Sequence, residues 1–245
     1  MPAPTVELLR DLTVFAAPEV GARRTGAVAA RRPITHGRTV LPVLQAQTDA
    51  VGHRWVRVLL PGRPNGRSGW IRTRSTRAAV TPWSVDIDRA ARSGVVRRLG
   101  VVVRRFRVIV GAPSTPTPVG RFFVEESIRL PGGRVAGPFA LALSSRSEVL
   151  QEFAGGPGQI ALHGRDGLGG TLGTAVSHGC MRLGRADVAW LAARVGPGAR
   201  VTVRSRGTGP TTGTATATRG ASSDDRTTPG TTATDTSSTT TGPGR

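Results

Sequence analysis

A mainly β fold is predicted for this 245-residue chain by three features of its sequence. Short stretches alternate apolar and polar residues with a period of two, as in HRWVRVLL (53–60). Clusters of Pro, Gly and Asn, such as PGRPNGRSG (61–69), separate them as turns. A single segment, GRADVAWLAARV (184–195), carries apolar residues at helical spacing, Val188, Leu191 and Val195, and is expected to form a short helix. No heptad, phosphate-binding glycine loop or internal repeat is present.

The elements follow in chain order. LTVFAAP (12–18) and GRTVLPVLQAQ (37–47) read as strands. In HRWVRVLL, Trp55, Arg57 and Leu59 fall on one face and Val56, Val58 and Leu60 on the other; the turn at 61–69 leads into WIRTR (70–74) as the hairpin partner. The spacing of Trp55, Gly69 and Trp70 resembles the small SH3-like barrels of bacterial wall proteins, so residues 1–78 are expected to form such a β module. His36 and His53 lie in it as surface or strand-edge residues.

The chain starts afresh near residue 79. Trp83, Val85 and Ile87 alternate inward, and GVVVRRFRVIVG (100–111) reads as one strong strand. After STPTPVG, where two prolines stiffen the chain and Gly120 permits a turn, come the strands RFFVEES (121–127), GPFALALS (137–144) and QIALHG (159–164). ARVTVRSR (199–206) closes this second domain, 79–204. The remainder, 205–245, is almost wholly Thr, Gly, Ser, Pro and Ala with no large apolar residue. It cannot bury enough surface to offset chain entropy and is expected to be a disordered, inert spacer.

The formal charge is +19, and all 34 basic residues are arginine. The tail after Ser205 has four Arg against three Asp, so the excess sits on the predicted folded part. Such a surface favours anionic partners, among them anionic wall polymers. The arginines are scattered along the chain and aromatic residues are sparse, which argues against nucleic acid. No apolar run approaches the ~20 residues of a membrane helix. Glu7, Arg10 and Asp11 stand where a signal peptide would be apolar, so no export signal is read. Monomer is the default state.

Cys180, within SHGCMRL (177–183), is the sole cysteine. An internal disulfide is therefore impossible. A free thiol is mostly protonated at neutral pH, and a neighbouring imidazole can take its proton. His178 is close in sequence but awkwardly placed for in-line transfer. His163 ends a predicted strand, and the glycine-rich loop GRDGLGGTLGTAVS (164–177) can bring it back to Cys180. Gly179 permits close backbone approach to a reacting carbonyl, and the N–H groups around His178, Gly179 and Cys180 can line an oxyanion hole. Cysteine attack, histidine proton transfer and backbone donors together permit acyl transfer.

The pattern HG…SHGCMRL, with PTPVGRF (116–122) upstream, resembles the signature of the L,D-transpeptidase (YkuD) catalytic domain over roughly residues 80–204. The resemblance implies a β-sandwich-like catalytic domain with short helices. It implies that Cys180 is the nucleophile, His163 the general base, and the Gly164 carbonyl the group that orients His163. It assigns Ser177, His178 and Gly179 to the oxyanion hole and substrate, and Arg182 to a substrate carboxylate. The implied reaction is ping-pong: a peptidoglycan tetrapeptide stem acylates the thiol, D-alanine leaves, and an acceptor amine takes the acyl group. Carbapenems acylate the same thiol in family members. No cofactor is expected, and the place of action is extracytoplasmic, in the cell wall or periplasm.

Three alternatives stay open. Water as acceptor makes the same site an L,D-carboxypeptidase. A zinc hydrolase would use His163, His178 and Cys180 as ligands. A non-catalytic wall- or polyanion-binding protein would rely on the arginine excess. Asp166 is expected in a turn and Asp187 at a helix N-terminus.

Overall fold

The computed structural model describes residues 1–130, 135–153 and 155–206. The expected tail lies outside them from residue 207 onward. Among the described residues there are seventeen strands and one α-helix.

The first seven strands are β1 (Ala3–Leu8), β2 (Leu12–Phe15), β3 (Arg24–Val28), β4 (Val40–Thr48), β5 (Arg54–Leu59), β6 (Ser68–Arg72) and β7 (Thr76–Thr81). They form a sheet in the order β3-β2-β6-β5-β4-β1-β7. The predicted 53–60/70–74 hairpin is β5–β6, with Trp55 opposite Arg72 and Val58 opposite Gly69. Gly69 is needed there, because a Cβ would run into the Val14 side chain. β1, β3 and β7 were not foreseen. β3 is mostly exposed, and its RTGAV has no apolar alternation to read. β7 pairs with β1 over Thr76–Thr81 and so runs through residue 78, where the first module was expected to end.

The second sheet contains β8 (Trp83–Asp88), β9 (Ser93–Arg98), β10 (Val101–Arg107), β12 (Gly120–Arg129), β13 (Phe139–Arg146), β14 (Gln159–Gly164), β16 (Met181–Leu183) and β17 (Arg200–Arg204). Their order is β10-β9-β8-β17-β12-β13-β14-β16. Two short strands, β11 (Val110–Gly111) and β15 (Ala175–Ser177), pair in parallel beside it. The stretch 100–111 is thus two strands rather than one. The chain turns away after Arg107, and Val108 and Ile109 are fully buried between them. Helix α1 (Arg185–Ala192) ends three residues before the predicted limit, with Gly196 and Pro197 just beyond. It buries Val188 and Leu191. Arg104 clasps Asp187 in its first turn, Nη2 to Oδ1 2.6 Å.

The two sheets share one compact unit, and β12 joins them. Successive side chains on a strand point to opposite faces. Phe122 accordingly enters the core of the second sheet with Val85, Leu141, Leu162 and Val201. Phe123 enters the core of the first sheet with Leu8, Val58 and Ile71. Around this seam lies a buried ionic group. Arg32 pairs with Glu125, Arg146 Nη1 reaches Glu125 Oε1 at 3.0 Å, and Thr35 donates through N and Oγ1 to Glu126 Oε2, both 2.8 Å. Both glutamates are 1% exposed. Buried charges persist when paired, and each glutamate ties the connection between β3 and β4 to β12.

Candidate active site

β14 ends in His163–Gly164, and β16 begins directly after Cys180. The two strands pair in parallel, Leu162 opposite Met181, His163 opposite Arg182 and Gly164 opposite Leu183. Leu162, Met181 and Leu183 are fully buried in the core. By alternation His163 and Arg182 lie on the other face. Cys180, two positions before Arg182, falls on the diagonal from His163. With strands about 4.8 Å apart and a rise of about 3.3 Å per residue, that diagonal is roughly 8 Å between Cα atoms; the thiol's hydrogen bond goes to the Gln159 carbonyl and the imidazole's to the Gly164 carbonyl rather than to each other. Both residues line one cavity of about 440 Å³, together with His178, Arg182, Gln159, Ile160 and Leu168.

His163 is held by its own neighbour. Nδ1 lies 2.6 Å from the Gly164 carbonyl oxygen. A carbonyl can only accept, so Nδ1 carries the proton and Nε2 keeps the free lone pair. Gly164 has to be glycine, because a Cβ there would collide with the Gly137 backbone carbonyl. The Gly164 N–H donates to the Ala136 carbonyl (3.1 Å), and Ala136 N–H donates to Asp166 O (2.8 Å), so the 135–137 segment is laced over the histidine end of β14.

The cysteine sits on a tight turn. Ser177 Oγ donates to the Cys180 carbonyl (2.6 Å) and accepts the Gly179 N–H (3.2 Å). Gly179 has φ +113°, and a Cβ on it would press on Ile160 at 3.0 Å. Two threonines clamp this turn from the PTPVGRF side. Thr117 Oγ1 donates to the Gly179 carbonyl (2.8 Å) and accepts the Gly111 N–H (2.9 Å). Thr115 Oγ1 donates to the Ser177 carbonyl (3.0 Å). Neither hydroxyl carries an expected role from the sequence: Thr117 stands inside this motif and Thr115 directly before it. The signal was there in a threonine between two prolines, where the rigid backbone fixes the direction of the side chain.

The expected site residues therefore separate. His163, His178, Cys180 and Arg182 share the cavity. Ser177 does not line it, being 1% exposed and spent on the turn, and the Gly179 N–H is spent on Ser177 instead of facing the cavity. His178 is exposed at the mouth, with its ring 5.1 Å from that of Phe153. Arg182 Nη1 donates to the Gly169 carbonyl (2.8 Å), pinning the glycine-rich loop, while its buried Nε has no hydrogen-bond partner among the described residues. Asp166 pairs with Arg185.

Electrostatics favour a neutral resting pair. Burial pushes the Cys180 thiol up, against the pull of a backbone hydrogen bond from Ala161 and the charge of Arg182. Burial also pushes His163 down; the Gly164 bond opposes this and Arg182 reinforces it. The thiol donates to the Gln159 carbonyl at 3.8 Å. Among the described residues, no three His, Cys, Asp or Glu side chains converge as a metal site. No helix among them is long and apolar enough to cross a membrane.

Residues 82–203 match the model of the L,D-transpeptidase catalytic domain, YkuD. The chain is 30% identical over 122 residues to the YkuD protein of Bacillus subtilis (strain 168), named provisionally as an L,D-transpeptidase. The match takes in 50% of this chain and 66% of that protein, just under two thirds of its length. Among solved structures, an L,D-transpeptidase from Mycobacterium tuberculosis H37Rv is 19% identical with a TM-score of 0.43, over 68% of this chain and 90% of that one. The L,D-transpeptidase LdtMt1 in complex with imipenem is 20% identical with a TM-score of 0.43, over 69% and 92%.

Proposed function

With residues 82–203 belonging to the YkuD family of L,D-transpeptidase catalytic domains, we propose that this protein transfers peptidoglycan stem acyl groups through a thioester on Cys180. His163 Nε2 takes the thiol proton as Sγ attacks the carbonyl of the third stem residue. The same proton passes to the departing D-alanine amine, and the C–N bond breaks. An acceptor amine then attacks the thioester and gives its proton to His163, which returns that proton to the sulfur as the C–S bond breaks, so that Cys180 leaves as the thiol. The Cys180 N–H, at the end of the turn clamped by Ser177, donates to the oxyanion. Arg182, which lines the cavity, is assigned to a substrate carboxylate.

The observation that carries this reading is the lock of His163 Nδ1 on the Gly164 carbonyl, which leaves Nε2 as the base in a cavity shared with Cys180. A carbonyl here does what a carboxylate does in other triads: it fixes the tautomer without adding a negative charge. A neutral resting pair suits the task, since proton transfer then accompanies attack and the thiol stays protonated until substrate enters. On this reading the enzyme works outside the cytoplasmic membrane, on wall peptides. The N-terminal sheet is assigned as an SH3-like wall module, and the arginine excess draws the protein to anionic wall polymers.

Incubation with purified disaccharide-tetrapeptide muropeptides, followed by mass spectrometry, tests the proposal. Release of D-alanine with appearance of crosslinked dimers supports it. Release with tripeptide alone indicates an L,D-carboxypeptidase. No release from any tetrapeptide refutes both.

A further inference from the structure

The turn between β5 and β6 reaches across to the catalytic cavity. Arg63 Nη1 donates to the Pro157 carbonyl (3.0 Å), and Nη2 donates to the carbonyls of Ser147 and Leu150, both 2.9 Å. Two residues on, Asn65 makes a reciprocal pair with the Arg146 backbone: Nδ2 to O at 2.8 Å, and Arg146 N–H to Oδ1 at 2.8 Å. Gly62 N–H donates to Ser144 O (3.1 Å). All these acceptors and donors belong to the end of β13 or to the connection from β13 to β14.

That connection forms a wall of the cavity. Ser147, Leu150, Phe153 and Gly158 line it. The connection has little regular structure of its own: Ser147 N–H bonds Gly158 O (2.7 Å), and Ser147 Oγ accepts the N–H groups of Val149 and Leu150 (3.3 and 3.0 Å). Phe153 and Gly156 exchange backbone bonds (2.9 and 3.0 Å), and three further carbonyls, those of Ser147, Leu150 and Pro157, are gathered by one guanidinium. Gly158, at φ +64°, lets the Leu150 carbonyl approach, since a Cβ there would run into that oxygen and would also stand 3.1 Å from Arg63 Nη2. Pro157 lies two residues before Gln159, the start of the strand that carries His163 and accepts the thiol.

We propose that the N-terminal sheet is a positioning element of the active site, with Arg63 as the positioning residue that sets the wall made by Ser147, Leu150, Phe153 and Gly158, against which the acyl donor binds. This rests on the function proposed above. A planar fork satisfying three carbonyls at once suits arginine, whereas lysine presents a compact head that cannot span them equally. Charge-assisted bonds of this kind are stronger than neutral ones, so one side chain can hold a loop that is otherwise weakly tied. Arg63 touches neither the sulfur nor the imidazole, and its loss acts on binding more than on the chemical step.

The test compares wild type, Arg63→Ala, Arg63→Lys and Asn65→Ala in the full chain. The rate of acylation by imipenem is followed against imipenem concentration, and amide exchange is followed by mass spectrometry. Arg63→Ala is expected to raise the half-saturating imipenem concentration roughly tenfold, the scale of one lost charge-assisted hydrogen bond, with the limiting rate changed about twofold or less. Exchange in 147–153 and 155–158 rises, while that of 160–163 and 181–183 stays put. Arg63→Lys falls between Ala and wild type. If Arg63→Ala does not fold, Arg63→Lys and Asn65→Ala carry the same comparison. Wild-type concentration dependence in the folded variants, or unchanged exchange in the wall, overturns the proposal. If wild type itself takes up no acyl group, the proposed function fails, and the exchange measurement alone decides whether Arg63 positions the wall.

Discussion

Thr117 and Gly179, 62 positions apart, are joined by a 2.8 Å hydrogen bond from the threonine hydroxyl to the glycine carbonyl. The same hydroxyl accepts the Gly111 N–H, and Thr117 is fully buried. One side chain thus ties the β11 strand to the turn that presents Cys180. Thr117→Val keeps the shape and removes both bonds, stranding a buried carbonyl and a buried N–H. The expected cost is about 2–4 kcal/mol. That lowers the melting temperature by roughly 4–16 °C in a chain of this size, which calorimetry measures. Acylation of the folded variant slows, because the turn carrying the nucleophile is no longer braced.

His163→Gln removes the base and keeps a polar group of related size. General-base catalysis is typically worth about 10²–10⁴-fold. Single-turnover acylation should fall within that range, with the fold retained by far-ultraviolet circular dichroism.

The pH profile has a defined sign. His163 must be neutral to accept the thiol proton, and burial lowers its pKa below the ordinary histidine value. The acid limb of acylation therefore lies below pH ~6.5, and activity is lost only as pH falls through the depressed folded-state value. Stability follows the same sign. The unfolded chain binds this proton more readily, so the contribution of His163 is full above pH ~6.5 and declines as pH falls from there toward the folded-state value. Acylation rates across pH, with His163→Gln as the reference lacking this limb, check the assignment.

Gly164→Ala adds a methyl group directly against the Gly137 carbonyl. Overpacking of this sort costs about 1–3 kcal/mol, and relief requires the 135–137 segment to withdraw from the end of β14. The Gly164 carbonyl then no longer fixes the imidazole. Loss of melting temperature together with loss of acylation is expected, and imidazole nitrogen chemical shifts would report a mixed tautomer.

Much of this was legible in the sequence. The alternation of HRWVRVLL, QIALHG and ARVTVRSR marks β5, β14 and β17, because their period-two pattern follows from burial on one or both faces. The segments that build the site around Cys180 were less visible. β15 and β16 are three residues each, too short for periodicity, and they exist through parallel pairing with β11 and β14. Ser177 and Gly179 looked like substrate-facing groups from their place in SHGC, whereas both spend their polar atoms on the turn itself. The junction of the two sheets was hidden for another reason. Phe122 and Phe123 read as one apolar pair on a strand, and nothing local says that each serves a different core. Likewise the partners of Arg32 and Arg63 lie more than 80 positions away, and no local pattern reveals such pairs.

The central claim is that the Cys180 sulfur is the acyl acceptor. Intact mass spectrometry of wild type and Cys180→Ala after incubation with imipenem tests it directly. The account predicts a single covalent adduct on wild type, mapped by proteolysis to the peptide containing Cys180, and none on Cys180→Ala at an unchanged melting temperature. An adduct on Cys180→Ala, or an unmodified Cys180 in wild type that releases D-alanine from tetrapeptide stems, would contradict it.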